Sequence, residues 1–241
     1  NIYHYMNENG TLIIGSDCIH DSFGCDVVTA SLDCSDADIF VTKDILSING
    51  IEIPLSGIST KLIGHHNFYN IGIAMCIALT LGCDKDEALK AVASFNGLPH
   101  RLENVGTFGG VQYINDSIST CPSTAIAAVK SFDKADTIII GGMDRGLDYS
   151  EFINGLMTAP IDNLLCMPET GYAIADSLIE KGCKLNIVKC ETLEQAVAKS
   201  FELTAPGKAC LLSPAAASYN RYKNFEEKGN AFKALVASYD A

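Results

Sequence analysis

The second part of the chain repeats one pattern, a short apolar run followed by a loop and a helix-like stretch, and this repeat constrains the fold more than any other feature. The apolar runs are VQYIN, TIIIGG, NLLCM, LNIVK and ACLLSP, at residues 111–115, 137–142, 163–167, 185–189 and 209–214. The helices after them are predicted to begin near Ser123, Ser150, Tyr172, Leu193 and Phe225. Five such units predict an α/β fold, a doubly wound, mostly parallel sheet with helices on both faces.

The first part of the chain has a different rhythm. Short apolar runs alternate with turns and predict four strands, at residues 11–15, 38–42, 45–50 and 51–55. The Asn-Gly pair between the last two runs predicts a β-hairpin.

Two helices and a domain boundary are predicted next. Helical spacing of apolar residues covers 67–81, and Asp84 is a capping residue for a second helix that runs to about Phe95. Gly97 and Pro99 then break any helix. The two predicted domains span residues 1–97 and 98–241.

Chain length, composition and net charge exclude several classes of function. The chain has 241 residues, 48% of them hydrophobic, and a formal net charge of −12. Such a chain can bury a core, and its acidity gives it no general attraction for nucleic acid or for an anionic membrane surface. No signal-peptide pattern opens the sequence and no run of about twenty apolar residues could span a bilayer, so we expect a cytoplasmic protein.

The ten cysteines do not form a disulfide or zinc pattern. They are scattered singly, and no C-x-x-C pair occurs. Several lie inside apolar runs, among them Cys166 and Cys210. We therefore expect buried free thiols in a reducing cytosol, and no zinc site.

Four loops are candidates for a binding site, because ligands of doubly wound sheets bind beyond the carboxyl ends of the strands. These loops are residues 115–123, 141–150, 167–171 and 213–225. The first, NDSISTCPST, places acidic and hydroxyl side chains directly after a strand. Asp116 could hold a ribose or a metal-bound phosphate, and hydroxyls such as that of Thr120 could hold an anion at a helix start. The alternative is a well-capped helix without a ligand.

Two more of these loops combine small residues with a few large ones. In GGMDRGLDY, two glycines let the backbone approach a ligand closely, and Arg145 offers a planar fork for a carboxylate. In LLSPAAASYNRYKNFEEKGN, Ser218 can donate a hydrogen bond, while Tyr219 and Phe225 can wall a pocket. The alternatives are a turn with a solvated arginine and a loop that simply packs tightly on the sheet.

Two segments outside these loops place polar residues at defined positions. In GHHNFYN, Asn67 and Asn70 lie one turn apart at a helix start, where their amides either bind a base edge or cap the helix. In GLPHRLE, His100 and Arg101 lie at the expected boundary. An arginine there either reaches a phosphate in a neighbouring domain or forms a surface salt bridge.

The order and spacing of these motifs resemble the Mur ligase family. The matching segments are G-x-H-N-x-x-N, G-L-P-H-R-x-E, a strand ending in N-D-S, a strand ending in G-G, L-L-S-P-A-x-A-S and K-N-F-E-x-x-G-N. The resemblance covers residue 64 to the C-terminus and, loosely, the strands before it. Within the family it is greatest to the enzymes that add D-glutamate.

This resemblance implies an enzyme of peptidoglycan synthesis, and hence of cell-wall growth and cell division. In the family, ATP phosphorylates the carboxylate of a UDP-sugar substrate, and the amine of the amino acid then attacks the acyl phosphate. The implied substrates are UDP-N-acetylmuramoyl-L-alanine, D-glutamate and ATP. Mg²⁺ is the implied metal, nucleic acid and membrane are not partners, and a monomer is expected.

The resemblance also implies a role for each domain. Residues 1–97 resemble the tail of a central P-loop ATPase domain, and residues 98–241 resemble a Rossmann-like domain that brings the amino acid. The metal ligands and a carbamylated lysine are expected upstream of residue 1, with NIYHYM at 1–6 following that lysine. No G-x-x-x-x-G-K-[ST] occurs in the sequence, so we expect these 241 residues alone to be inactive.

The family's functional residues fall on eight positions of this sequence. The resemblance implies that Asn67 and Asn70 contact adenine, that Arg101 contacts a nucleotide phosphate, and that Asp116 holds the ribose region of ATP; the last two are also the expected catalytic residues. The implied D-glutamate pocket consists of Thr120, Arg145, Ser218 and Phe225, and the loop chemistry adds Tyr219 as a further substrate-binding residue.

Two positions depart from the family pattern. Arg145 stands where some relatives have lysine, and it keeps the positive charge. Ile118 stands where many relatives have lysine, so no cationic role is expected at this position.

Three other functions remain as alternatives. The first is a ligase for another amino acid, in another Mur ligase or a relative of folylpolyglutamate synthase. The second is a nucleotide-dependent oxidoreductase, which the absence of G-x-G-x-x-G after the first strand of the second domain disfavours. The third is a non-catalytic module that binds a nucleotide or an amino acid.

Overall fold

The computed structural model of the protein describes residues 9–18 and 24–239, and the chain divides into two compact units between Asn96 and Gly97. The boundary expected after residue 97 lies one residue from this division. The segment NIYHYM lies outside the described residues. That the first unit belongs to an ATPase domain, and the second to an amino-acid-binding domain, stays a prediction.

The first unit is a five-stranded sheet covered by two helices. Its strands follow in chain order, and the pairing is parallel from β1 to β3 and antiparallel from β3 to β5. The elements are β1 (Thr11–Gly15), β2 (Asp26–Ser31), β3 (Ile39–Val41), β4 (Ile45–Ile48), β5 (Ile51–Pro54), α1 (His66–Thr80) and α2 (Lys85–Ser94).

Local sequence explains most of this unit. Asn49 and Gly50 both have positive φ, 48° and 79°, as a two-residue hairpin turn requires, so the predicted hairpin is confirmed. Asp84 caps α2 by accepting hydrogen bonds from the amides of Asp86 and Glu87. Four of the five strands were expected from the sequence; β2 was not.

The second unit is a six-stranded sheet with helices on both faces. The strand order is β10-β9-β8-β11-β7-β6, and every neighbouring pair is parallel except β6 with β7. The elements are β6 (Glu103–Phe108), β7 (Val111–Asn115), α3 (Pro122–Lys130), β8 (Ala135–Ile140), α4 (Ser150–Leu156), β9 (Asn163–Cys166), α5 (Thr170–Glu180), β10 (Asn186–Lys189), α6 (Leu193–Leu203), β11 (Ala209–Leu212) and α7 (Phe225–Ser238).

The predicted fold class is confirmed by this topology. The five expected strands and helices all form, with bounds that differ from the predicted ones by at most two residues. Because helices cover both faces, the central strands are apolar throughout, and all residues of β8, β9 and β11 are buried. The edge strand β6 was not predicted, and it adds an antiparallel pair to an otherwise parallel sheet.

The cysteines are all free, as expected, but they are not all buried. Cys76, Cys166, Cys190 and Cys210 lie in the two cores, whereas Cys18, Cys34, Cys83 and Cys121 are exposed. Among the described residues, no helix is both long enough and apolar enough to cross a bilayer.

Candidate functional site

Three loops meet at the centre of the carboxyl edge of the second sheet. β11 lies between β8 and β7, and since all three strands are parallel, the loops that follow them emerge at the same edge. Backbone hydrogen bonds join these loops directly. The Ala215 amide donates to the Ser119 carbonyl at 2.9 Å, and the Met143 amide donates to the Ala217 carbonyl at 2.8 Å. The three loops therefore form one continuous surface.

The loop after β8 begins with a turn that only glycine can form. Gly141 and Gly142 have φ values of 114° and 155°. A Cβ on Gly141 would collide with the Met167 carbonyl, and a Cβ on Gly142 would collide with the Ala217 carbonyl. The turn leads into an exposed segment that carries Arg145, whose side chain is open to solvent. Its guanidinium is therefore available to an anionic ligand.

Ser218 presents a buried hydroxyl without a partner. The residue is 2% exposed, and its Oγ is the one buried side-chain nitrogen or oxygen atom among the described residues that has no hydrogen-bond partner. Leaving such a group unpaired costs about 1–3 kcal/mol. A cost of this kind is explained if the hydroxyl is reserved for a ligand.

Thr120 and Ser218 lie beside the shared backbone bonds of the three loops. Thr120 is half-buried and follows Ser119 directly, while Ser218 follows Ala217 directly. Arg145 lies two residues beyond Met143 on the third loop. The structure thus brings the three predicted ligand-binding residues to one edge of the sheet, with their side chains not engaged with one another.

The two predicted aromatic residues differ in their environment. Phe225 is half-buried at the first position of α7, where its ring contacts the His100 ring edge-on, with a centroid distance of 5.9 Å. Tyr219 is 67% exposed. Phe225 can therefore form a fixed wall, whereas Tyr219 becomes a wall only if a ligand or another part of the protein covers it.

Asp116 is buried and both of its carboxylate oxygens accept hydrogen bonds. Oδ1 accepts from the Leu102 amide at 3.2 Å, and Oδ2 accepts from Ser213 Oγ at 2.7 Å. Burial raises the pKa of Asp116. The two hydrogen bonds above, a further hydrogen bond from Ser119 and the positive charge of Arg101 all act in the opposite direction. The carboxylate thus holds the segment before β6, which carries the exposed Arg101, against the sheet edge.

His100 lies in a polar network that sequence reasoning did not identify. Its φ is 66°, and its amide donates to Glu103 Oε2 at 2.9 Å. Asn115 Nδ2 donates to the same Glu103 oxygen at 2.9 Å and to His100 Nδ1 at 3.0 Å. Gly229 on α7 packs so closely that a Cβ there would collide with His100 and Ser117. This packing explains the glycine of the K-N-F-E-x-x-G segment.

Lys228 is a buried residue that the sequence did not single out. It is 2% exposed, and its Nζ donates to the Gly141 carbonyl at 2.8 Å. Burial lowers its pKa to about 7. The glycine turn is therefore held from the side of α7 by a buried amine.

The two predicted adenine-binding residues lie in the first unit. Asn67 Nδ2 donates to the Ile63 carbonyl at 2.7 Å, and Asn70 Nδ2 donates to Asn67 Oδ1 at 3.2 Å. Asn67 thus holds the chain at the start of α1, and Asn70 is exposed. Contact of either amide with a base stays a prediction.

Comparison with known proteins identifies the second unit. Residues 100–216 match the family model described as "Mur ligase, glutamate ligase domain". This part of the chain belongs to the Mur ligase family. The loops after β7 and β8 fall inside the matched residues. The loop after β11 is matched only up to residue 216, so Ser218, Tyr219 and Phe225 lie beyond the match.

Two curated relatives of this chain carry the same name. The chain is 38% identical over 182 residues to the UDP-N-acetylmuramoylalanine–D-glutamate ligase of Geotalea uraniireducens, and the aligned part covers 76% of this chain and 39% of the relative. It is 35% identical over 201 residues to the ligase of the same name from Aquifex aeolicus, covering 83% of this chain and 47% of the relative. The chain therefore spans less than half the length of these relatives.

Solved structures of Mur ligases share the fold. The UDP-N-acetylmuramoylalanyl-D-glutamyl-2,6-diaminopimelate–D-alanyl-D-alanyl ligase of Acinetobacter baumannii matches with a TM-score of 0.68 at 16% identity, over 99% of this chain and 52% of that one. The UDP-N-acetylmuramate-alanine ligase of Thermotoga maritima matches with a TM-score of 0.60 at 20% identity, over 88% of this chain and 51% of that one. At these identities the similarity shows the fold alone.

Proposed function

We propose that this chain is part of an ATP-dependent ligase that adds D-glutamate to UDP-N-acetylmuramoyl-L-alanine in peptidoglycan synthesis, and that its second unit binds the D-glutamate. The names of the curated relatives support this proposal. The observation that carries it for this chain is the unpaired, buried hydroxyl of Ser218, at the sheet edge that also carries Thr120 and Arg145.

The chemistry of the edge suits a dicarboxylate. The Arg145 guanidinium can bind one carboxylate through two parallel hydrogen bonds, and the hydroxyls of Thr120 and Ser218 can donate to the other. Since the chain has a net charge of −12, these local donors, and not the overall field, must attract an anionic amino acid. Phe225 and Tyr219 are proposed to wall the aliphatic part of the ligand.

We further propose that Arg101, Asn67 and Asn70 contact the nucleotide. Arg101 is exposed and can reach a phosphate, and Asp116 fixes the segment that carries it. Asn67 and Asn70 are the proposed adenine contacts. ATP supplies the phosphoryl group that activates the substrate carboxylate, and the bound D-glutamate is held with its amine free to attack it.

The described residues contain no group of three His, Cys, Asp or Glu side chains placed to hold a metal, and both oxygens of Asp116 accept hydrogen bonds from the protein. We therefore assign neither a metal ligand nor a metal-dependent step to them. A monomer in the cytoplasm stays a prediction.

The amino-acid dependence of phosphate release tests this proposal. The complete enzyme that contains this chain is incubated with ATP, Mg²⁺ and UDP-N-acetylmuramoyl-L-alanine, and D-glutamate is compared with meso-diaminopimelate, L-lysine and L-alanine. We expect release with D-glutamate alone. Release with one of the other amino acids would assign the chain to another ligase, and release with none would support a non-catalytic module.

A further inference from the structure

A buried lysine holds the glycine turn that leads to Arg145, and among the described residues it forms no ion pair. Lys228 occupies the first turn of α7, three residues after Phe225, and its side chain is almost completely enclosed. Among the described residues, the ion pairs join other lysines, namely Lys189, Lys199 and Lys233, to carboxylates. The hydrogen bond that the structure gives to the Lys228 amine runs to the Gly141 carbonyl.

An aliphatic side chain at this position would avoid the cost of enclosing an amine. Burying an ammonium group without a counter-ion is unfavourable, and the lowered pKa of Lys228 reflects this cost. The amine supplies a donor to the carbonyl of Gly141, where β8 turns into the loop that carries Arg145. The hydrogen bond from Lys228 therefore helps to position the loop of Arg145.

The remaining polar groups of the glycine turn are held by other loops. The Gly141 amide donates to the Pro214 carbonyl, and the Gly142 carbonyl accepts from the amide and the hydroxyl of Thr170. Among the hydrogen bonds of the described residues, that of Lys228 joins the turn to the helix that begins with Phe225 itself. It adds to the backbone bonds that join the Arg145 loop to the loop before this helix, from Gly141 to Pro214 and from Met143 to Ala217.

The space beside the amine is too small for a substrate. A cavity of about 10 Å³ lies between the glycine turn, the start of α6 and the loop before α7, and the charged residues that line it are Glu191, Arg221 and Lys228. This volume corresponds to about one water molecule, which could accept a further hydrogen bond from the amine. Lys228 therefore acts on a ligand through the turn and not by direct contact.

We propose that Lys228 is a positioning residue for D-glutamate: by bonding the Gly141 carbonyl, it fixes the loop of Arg145 against the helix of Phe225. This inference rests on the proposed function and adds to it a residue that does not contact the substrate. Loss of this bond removes the direct tie between the Arg145 loop and α7, so the affinity for D-glutamate falls while the affinity for the other substrates is kept.

Steady-state kinetics of the complete enzyme test this role with four variants. Lys228→Met removes the donor at similar volume, Lys228→Gln keeps an uncharged donor, and Lys228→Arg keeps a charged one. Lys199→Met removes an exposed lysine of α6 and serves as the matched control. The KM for each substrate and kcat are measured for all four, together with the melting temperature.

The expected result is a selective loss. Lys228→Met raises the KM for D-glutamate by about tenfold or more while changing the KM for ATP by less than about twofold, and Lys228→Arg restores the KM to within about threefold of wild type. Lys199→Met is indistinguishable from wild type. If the Met variant does not fold, the Gln and Arg variants give the same comparison, with Gln weaker than Arg.

Two outcomes separate the inference from the proposed function. If the wild-type enzyme uses D-glutamate but the Lys228 variants raise all KM values alike, or raise none, the positioning role is wrong. If the wild-type enzyme uses a different amino acid, the proposed function is wrong.

Discussion

Replacing Lys228 by methionine should make the second unit more stable at pH 6, although the same change weakens D-glutamate binding. Burial lowers the pKa of Lys228 from its ordinary value of 10.5 to about 7. At pH 6 the lysine is protonated in both states, so the folded state bears the whole cost of the enclosed charge, on the order of 5 kcal/mol. Methionine does not carry this cost.

The loss of the hydrogen bond works in the opposite direction. Without the amine, the Gly141 carbonyl is buried and unpaired, which costs about 1–3 kcal/mol. The difference leaves Lys228→Met more stable than wild type by about 2–4 kcal/mol at pH 6. The variant would thus exchange a functional contact for stability, as is common at ligand sites.

The sign of the pH dependence follows from proton counting. Between about pH 7 and pH 10.5 the unfolded wild type binds more protons at Lys228 than the folded wild type does, so wild-type stability rises with pH in this window. The methionine variant lacks this group. Its advantage should therefore shrink by about 2–3 kcal/mol between pH 6 and pH 9.

Urea unfolding of the 241-residue chain at pH 6 and pH 9, followed by far-UV circular dichroism, measures this difference. Lys199→Met is the control, because its exposed lysine is protonated in both states over this range and the difference from wild type should be the same at both pH values. An advantage of Lys228→Met that is equal at pH 6 and pH 9, or a variant that is less stable than wild type at pH 6, would refute the reasoning.

Three further substitutions test the site. Ser218→Ala should leave the free energy of unfolding unchanged or slightly higher, because the hydroxyl has no partner, yet raise the KM for D-glutamate by about tenfold. Arg145→Ala should change the free energy of unfolding by less than about 0.5 kcal/mol, which equilibrium unfolding measures. The same variant should weaken D-glutamate binding by about tenfold or more, with Arg145→Lys intermediate, as measured by calorimetric titration. Gly229→Ala should destabilise the chain by about 1–3 kcal/mol in urea unfolding, because its Cβ would collide with His100 and Ser117, and unchanged stability would contradict the packing.

The alternation of strands and helices in the second unit was predictable because each element has a strong local signal. Apolar runs such as TIIIGG are buried on both faces, and Asn224 caps α7 where the sequence predicts a helix start. The strand β6 was missed since its exposed and half-buried residues carry no periodic apolar signal and Gly106 interrupts it. Its pairing with β7 is a tertiary effect that a local pattern does not encode.

The residues at the sheet edge were identified from loop chemistry and from the family resemblance, but their partners were not. Lysine is rarely buried, so no feature of the sequence predicts that Lys228 lies in the interior. The network of His100, Asn115 and Glu103 depends on the pairing of β6 with β7, which places Glu103 opposite Asn115 and was not predicted. Asp116 was expected as a nucleotide contact, and its bonds to Leu102 and Ser213 became visible only in three dimensions.

A binding titration of this chain followed by nuclear magnetic resonance tests the D-glutamate site most directly. With D-glutamate added to the ¹⁵N-labelled 241-residue chain, we expect chemical-shift changes in the backbone amides of residues 116–120, 141–146 and 213–225. These changes should be weaker with L-glutamate and absent in Arg145→Ala. Shift changes confined to residues 24–96, or none at millimolar D-glutamate, would contradict a D-glutamate site at this edge of the sheet.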